Sequence, residues 1–234
     1  RMERLFSIYD PKSALSRLNR DGEISAEPEF LRLIRLAGKA HALTGGLFDP
    51  TLQPLIMAKL QRRRPTDAER ERIGWNLVDI EGSAVRYGKP GMAMTLNGIA
   101  QGFATDRVTE VLASHGFSRT VVNVGEYRVG GRLAAIAVGG SGENTLSVEE
   151  LSDAAIATSV PGALTFSDHS SHILDPQNPD APPHWASATV VARTAAMADA
   201  LSTALVLANG TALAESLARG AARAIILEDS AGQI

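Results

Sequence analysis

The chain has 234 residues, is 44% hydrophobic and 21% charged, and carries a formal net charge of −3. It is long enough to bury a substantial core, its mildly acidic balance disfavours nucleic acid as a partner, and no apolar run approaches the ~20 residues that cross a bilayer. The absence of cysteine excludes disulfides, thiolate metal sites and a cysteine nucleophile.

Two helices are predicted near the start of the chain. Residues 1–9 already look like the middle of a helix, so we expect an upstream signal or anchor to be missing from this sequence. Residues 27–43 predict an amphipathic helix that begins near Pro28 and is stopped by the glycines at 45–46. His41 lies on the apolar face of this helix, which favours a histidine that is simply packed.

Two turns combine an aromatic residue with Asp-Pro, at residues 9–11 and 48–50. Each ring could stack on a flat cofactor or could merely lock a loop, and the pattern leaves both open. The second turn leads into a helix with a basic run at Lys59 and at residues 62–64. Such a run is typical of a solvated surface.

The most distinctive stretch runs over residues 95–106. An apolar, strand-like run at 92–96 leads into a turn with Gly98 and Gly102, and the following helix ends at residues 115–116. Backbone amides and the positive end of a helix dipole can face an anion in such a unit. More often, such glycines only let a helix pack close to a strand, and the residues alone favour this interpretation.

The remaining segments predict mostly short strands. Helices are expected at 66–74 and 194–207, and strands at 77–80, 84–87, 120–124, 127–129, 133–138, 154–158, 163–166, 172–174, 187–191 and 223–227. The glycine-rich run at 139–142 has the look of a phosphate loop, but no Lys-Ser/Thr follows, which favours a flexible turn. The mixture predicts a single α+β domain over residues 1–234 with substantial antiparallel pairing.

Asp199 and Thr203 are candidates for metal binding. They stand four residues apart on a predicted helix, so they share one face among apolar neighbours. Mg²⁺ prefers oxygen ligands, and a carboxylate, a hydroxyl and a backbone carbonyl would serve. An exposed Asp with a Thr bonded to its own helix is the alternative, and the spacing leaves both open.

His172 and Asp175 are candidates for proton transfer. They flank a two-residue apolar step before a proline turn. Histidine is the side chain best suited to moving protons near neutral pH. A structural histidine in a strand is the alternative, and the residues alone favour it.

In their amino-acid sequences and their order along the chain, these segments resemble the FAD:protein FMN transferase family, the ApbE-like proteins. The resemblance covers residues 5–224. It rests on seven segments: Tyr9-Asp10-Pro11 with S-A-L-S-R-L-N, T-G-G-L-F-D-P-T-L-Q-P-L from Thr44, L-N-G-I-A-Q-G-F-A-T-D-R from Leu96, V-N-V-G from Val122, A-T-S from Ala157, H-I-L-D-P from His172 and A-D-A-L-S-T-A-L from Ala198.

The resemblance implies an ApbE-type fold and an enzyme that binds FAD and Mg²⁺, cleaves the pyrophosphate and attaches FMN to a Thr or Ser of an acceptor protein. It implies metal ligands at the carbonyl of Gly98, at Asp199 and at Thr203. It implies flavin or FAD contacts at Tyr9, Leu47, Phe48, Asp49, Thr95, Gln101 and Ile173. His172 is then the expected proton shuttle, with Asp175 as the group that orients it.

The chain departs from the family pattern at several positions, where it carries Thr95, Gln101, Glu126, Tyr127, Val160 and Ser202. The changes remove charge around the pyrophosphate. The wording G-I-A-Q-G and N-V-G-E is similar to the NosX-like branch, whose acceptor is the membrane flavoprotein that supports nitrous oxide reductase. That flavoprotein is the expected partner, and the periplasm is the compartment that the resemblance implies.

Two other functions stay open at this point. One is a metal-dependent FAD pyrophosphatase, in which water replaces the acceptor hydroxyl. The other is a non-catalytic FAD-binding maturation factor, in which the substitutions near Thr95 and Gly125 have ended catalysis.

Overall fold

The computed structural model describes residues 1–142, 144–167 and 170–234, and these contain eight α-helices and eight β-strands. The helices are α1 (Met2–Phe6), α2 (Ala14–Asp21), α3 (Pro28–Leu43), α4 (Gln53–Leu60), α5 (Asp67–Arg70), α6 (Asn97–Ser114), α7 (Ala195–Leu205) and α8 (Thr211–Ala218). The strands are β1 (Glu23–Ser25), β2 (Val78–Glu81), β3 (Ala84–Tyr87), β4 (Thr120–Asn123), β5 (Tyr127–Gly139), β6 (Thr145–Ser159), β7 (Ser187–Ala192) and β8 (Ala222–Glu228).

The strands form two antiparallel sheets. The smaller sheet has the order β1-β3-β2, and the larger one runs β4-β5-β6-β7-β8 as a meander in which each strand pairs with the next along the chain. The predicted α+β fold class with substantial antiparallel pairing is therefore confirmed. Residues 127–129 and 133–138 belong to one strand, β5, with an irregularity between Val129 and Leu133.

Helix α7 lies at the centre of the molecule. Every residue of Ala195–Leu205 is buried except Thr203. Its many alanines allow a close approach of α6, because a Cβ added at Gly102 would lie 2.2 Å from the carbonyl oxygen of Ala195. Only glycine permits this contact, so the predicted role of Gly102 in close packing applies between two helices.

A carboxylate from α6 closes the beginning of α7. Asp106 accepts hydrogen bonds from the amides of Ala195 (2.9 Å) and Ala196 (3.0 Å), two of the amides that have no partner inside the helix. Thr194 caps the same turn by accepting from the amide of Met197. The position of α7 is thus tied to α6.

One apolar core includes both ends of the chain. The main cluster of buried side chains begins at Leu5 and extends to Leu227, and it takes in both Met94 and Leu201. Helices α3, α6 and α7 pack around this core. None of the helices in the described part of the chain is both long and apolar enough to span a bilayer.

Residues 92–96 do not form the predicted strand. The side chain of Asn19 donates to the Met94 carbonyl and accepts from the Met94 amide, both at 2.8 Å. The Thr95 amide donates to the carbonyl of Pro50 at 2.8 Å. Neighbouring segments thus supply the backbone partners that a strand would find in a ladder.

Other short elements also differ from the prediction. Residues 161–163 form a short 3₁₀ helix, and an isolated bridge between Thr165 and Ser171 stands where two strands were expected. The helix predicted at 66–74 is limited to α5. Helix α2, strand β1 and helix α8 were not predicted.

The glycine-rich run at 139–142 is not a phosphate loop. Gly139 ends β5, and Ser141 donates its amide and its hydroxyl to the two carboxylate oxygens of Glu228, at 2.7 and 2.9 Å. A carboxylate therefore occupies the amide that would face a phosphate. The expectation of a turn is correct.

Candidate functional site

The first turn of α6 is irregular at Gly98. Its dihedral angles (φ −84°, ψ 18°) interrupt the helix, and a Cβ added there would lie 3.0 Å from the hydroxyl oxygen of Thr203 and 3.4 Å from the ring of Phe48. A side chain would therefore crowd both neighbours. Glycine at this point leaves the backbone of α6 open toward α7.

Asp199 lies one turn before Thr203 on α7 and meets α6 one turn beyond Gly98. Its carboxylate accepts the amide of Gly102 at 3.0 Å. A peptide carbonyl has two lone pairs, so the Gly98 carbonyl has capacity for a partner outside the helix. We call Gly98, Gly102, Asp199 and Thr203 the α6–α7 site.

The carboxylate of Asp199 is buried and has no cationic partner among the described residues. Burial raises its pKa well above the ordinary value, the neighbouring charge of Glu126 raises it further, and the Gly102 amide lowers it. An unpaired buried carboxylate is costly. A bound cation would remove that cost.

The donor set fits a hard divalent cation. A carboxylate, a hydroxyl and a peptide carbonyl are the oxygen donors that Mg²⁺ accepts. No group of three or more His, Cys, Asp or Glu residues in the described ranges could hold a metal, so part of the coordination would come from neutral oxygens and from a bound ligand. The structure brings Gly98, Asp199 and Thr203 together, and their role as metal ligands stays a prediction.

Two serine hydroxyls extend the α6–α7 site toward β6. Ser159 lies 2.8 Å from the hydroxyl of Ser202 and 3.3 Å from that of Thr203. Ser159 ends the A-T-S segment, so this part of the sequence motif reaches α7. The hydroxyl of Thr203 therefore has Ser159 as a hydrogen-bond partner. Its neighbour in sequence, Ser202, is not acidic.

Glu126 is a site residue that the sequence did not predict. It follows Gly125, whose φ of +110° favours glycine. A Cβ at this position would also overlap the side-chain nitrogen of Gln101, at 1.8 Å. Burial raises the pKa of Glu126 to about 7, although a hydrogen bond with the Thr158 backbone lowers this pKa. The signal available was an acidic residue directly after a strand and a glycine.

The Phe48-Asp49 turn is fixed from several sides. Asp49 accepts from the amide and hydroxyl of Thr51, at 2.8 and 2.6 Å. The amide of Phe48 donates to Thr44 at 3.0 Å, and the Nδ1 of His41 lies 3.0 Å from the Phe48 carbonyl. His41 is thus a structural histidine, as expected, and it orients the loop that carries Phe48 against Gly98.

The other predicted flavin contacts lie at varied exposures. Tyr9 is 85% exposed, so its ring is available to a ligand, whereas Leu47 and Ile173 are half-buried against the main core. Thr95 accepts from the amide of Asn97 at 3.3 Å. No hydrogen bond between described residues joins Tyr9 or Ile173 to the α6–α7 site, and both assignments stay predictions.

No hydrogen bond joins Asp175 to His172 in the described structure, and the role of Asp175 beside His172 stays a prediction. The Nδ1 of His172 lies 2.7 Å from the carbonyl oxygen of Leu164, so it carries the proton and donates it there. Asp175 instead accepts from the amides of Gln177 (2.8 Å) and Asn178 (3.3 Å). Its carboxylate closes the turn around the following proline. In the neutral tautomer that donates from Nδ1, the Nε2 of His172 is an acceptor.

The basic run after α4 has the expected surface character. Residues 62–64 are exposed. Arg63 pairs with Glu69 at 2.6 Å, and Lys59 lies 3.2 Å from Asp180. Nothing in these contacts points to a phosphate.

The fold and the site together define an α+β protein with an oxygen-lined site, between two helices, that suits a hard divalent cation. The ApbE family model matches residues 1–226. The chain belongs to the ApbE family.

Curated relatives and solved structures agree with this membership. The chain is 27% identical to the FAD:protein FMN transferase of Haemophilus influenzae over 231 residues, 85% of this chain and 67% of the relative. It is 25% identical to the Escherichia coli K12 protein of the same name over 240 residues, 88% of this chain and 67% of the relative. Its fold is similar to the ApbE protein of Thermotoga maritima (TM-score 0.88, 26% identity, 99% of this chain and 84% of that one) and to the flavin transferase ApbE of Vibrio cholerae (TM-score 0.79, 26%, 97% and 80%).

Proposed function

We propose that this chain is a flavinyltransferase that moves FMN from FAD to a hydroxyl of an acceptor protein. Membership of the ApbE family and the names of its relatives support this activity. The observation that carries the proposal is the buried carboxylate of Asp199, which binds the Gly102 amide one turn from the contact between Gly98 and Thr203 and lacks a cationic partner in the described structure.

Phosphoryl transfer depends mainly on positioning and charge neutralisation. A divalent cation held by Asp199, Thr203 and the Gly98 carbonyl would neutralise charge on the pyrophosphate oxygens. The hydroxyl oxygen of an acceptor Thr or Ser forms a bond to the FMN-side phosphorus while the bond from that phosphorus to the bridging oxygen breaks. AMP leaves with the bridging oxygen, and the hydroxyl proton passes to a base.

The chain's own residues would orient the substrate. The fixed loop of Leu47, Phe48 and Asp49 would contact the flavin, and Thr95 and Gln101 would contact FAD beside the glycine turn. His172, whose Nε2 is unprotonated when Nδ1 donates to Leu164, is the proposed proton acceptor. Tyr9 and Ile173 complete the proposed FAD contacts.

The proposal extends to the partner and the compartment. The wording around Gln101 and Glu126 that is similar to the NosX-like branch supports the membrane flavoprotein of the nitrous oxide reductase system as acceptor. The same resemblance supports a periplasmic location. Neither is needed for the chemistry.

Mass spectrometry of candidate acceptors tests the activity directly. After incubation with FAD and Mg²⁺, an acceptor is expected to gain one FMN at a Thr or Ser, with one AMP released. Asp199→Asn should give no adduct, and Val148→Lys, at an exposed site on β6, should give the full adduct. Free FMN in the absence of acceptor would indicate hydrolysis instead, and FAD binding without AMP release would indicate a binding protein.

A further inference from the structure

Strand β4 is one edge of the five-stranded sheet. It pairs only with β5 in the described structure. None of the backbone hydrogen bonds outside the sheet, among the described residues, begins or ends at residues 120–123. The backbone groups that point away from β5 are therefore available to another extended segment.

The β4 edge is only four residues long, but it lacks the charge, proline and bulge that often protect an edge strand. Its sequence, T-V-V-N, has no charge and no proline, and its pairing with β5 is regular. Phe117, Val121 and Val124 are 62%, 41% and 42% exposed beside it. The opposite edge, β8, contains the exposed Arg223, and a charged side chain at an edge discourages pairing.

The end of β4 leads directly to the α6–α7 site. Gly125, two residues after the strand, lies against the side chain of Gln101. Gln101 precedes Gly102, whose amide binds Asp199, and the charge of Glu126 acts on that same carboxylate. A segment paired along β4 would thus run toward the proposed site of transfer.

We infer that the β4 edge binds an extended segment of the acceptor protein and delivers its Thr or Ser to the α6–α7 site. The inference rests on the proposed function, because that reaction requires a protein hydroxyl to enter the site. A segment paired with β4 satisfies its backbone hydrogen bonds while alternate side chains meet the exposed valines. Four residues of β4 span about 13 Å, so the hydroxyl residue would lie just beyond the paired stretch.

The test uses the acceptor that the mass-spectrometric assay identifies and compares two exposed valines. Val121→Lys places a charge on the β4 edge. Val148→Lys makes the same change at a 61% exposed position of β6, which pairs with Ala137, ten residues along β5 from Tyr127. We expect Val121→Lys to raise KM for the acceptor about tenfold, with kcat, FAD affinity and melting temperature unchanged, and Val148→Lys to change none of them.

A peptide that spans the modified residue gives a second, backbone-specific readout. N-methylation at successive peptide positions should weaken transfer at alternate residues, because only every second amide points at the partner strand. Equal acceptor KM for both lysine variants, or N-methyl effects without alternation, would overturn the inference while leaving the proposed function intact.

Two further outcomes also contradict the inference. If sedimentation shows a dimer that Val121→Lys dissociates, a second copy of this chain covers β4. If the wild-type chain gives no FMN adduct with any acceptor, the proposed function fails, and the inference that depends on it fails as well.

Discussion

Asp199 combines deep burial with a neighbouring negative charge, and both oppose its ionisation. A carboxyl group of this kind must release its proton when a cation binds to it. We expect Mg²⁺ at a hundredfold excess over its dissociation constant to stabilise the wild-type protein by up to about 3 kcal/mol. Its melting temperature should therefore rise. Asp199→Asn should abolish that increase and leave the circular dichroism spectrum unchanged. An equal increase in the variant would remove Asp199 from the metal site.

Glu126 gives the folded protein a pH dependence that can be measured without substrate. Its pKa is raised from 4.5 to about 7, so the folded state holds a proton that the unfolded state releases. The resulting stability is present below pH 4.5 and is lost as the pH rises to 7. Without divalent cations, we expect Glu126→Gln to be more stable than wild type at pH 8, by about 1–3 kcal/mol, and similar at pH 4.5. Urea denaturation at both pH values measures this, and a constant difference would show that Glu126 is not buried as a carboxyl group.

His172 and Asp175 should behave differently although they are three residues apart. His172→Ala is expected to lower kcat by ~10²-fold with a smaller effect on FAD affinity, because its Nε2 is the proposed proton acceptor. Asp175→Ala should keep kcat within about twofold and lower the melting temperature, because its carboxylate only closes a turn. Equal losses of kcat in both variants would indicate that the two side chains act together after all.

The sequence alone could identify the residues whose chemistry is local. The four-residue spacing of Asp199 and Thr203 predicts a shared face, and the structure brings Thr203 to Gly98 and Asp199 to Gly102, both on α6. Glu126 was missed because its environment depends on β6 and α7, which are distant in sequence. The turn role of Asp175 was missed, because the amides of Gln177 and Asn178 that its Oδ1 accepts carry no side-chain signal in the sequence.

At the scale of elements, the backbones of α6 and α7 approach each other closely at Gly102. We expect Gly102→Ala to destabilise the fold by about 3 kcal/mol or more, because the added Cβ would meet the Ala195 carbonyl at 2.2 Å. Gly139→Ala is the matched control, since no atom lies within 4 Å of its added Cβ, and it should leave stability unchanged or slightly higher. Thermal denaturation of both variants distinguishes a packing requirement from a general glycine effect.

Prediction of elements from sequence succeeded where a segment is buried along nearly its whole length. The helix predicted at 194–207 and the strand at 187–191 match α7 and β7 closely, because continuous burial dictates their composition. The strand predicted at 92–96 is wrong because Asn19, more than seventy positions away, supplies its backbone partners. No local pattern encodes such a contact.

At the scale of the whole molecule, both sheets pack on one core. Trp75 lies beside the smaller sheet and Trp185 precedes β7, and both pack against the main cluster. These are the two tryptophans of the chain, so Trp75→Phe and Trp185→Phe each leave a single fluorescent probe. Because the core is shared, we expect within each variant a fluorescence transition that coincides with the loss of far-ultraviolet circular dichroism. Separate transitions would show that the two sheets unfold independently.

Asp106 of α6 binds the first amides of α7, and Asp199 of α7 binds an amide of α6. Each helix thus lends a carboxylate to the other, and the exchange fixes their mutual register. Sliding one helix by a single residue would break all three bonds at once, so the spacing of the site cannot drift gradually. Transplanting the site into another scaffold would require moving the two helices as an interlocked pair.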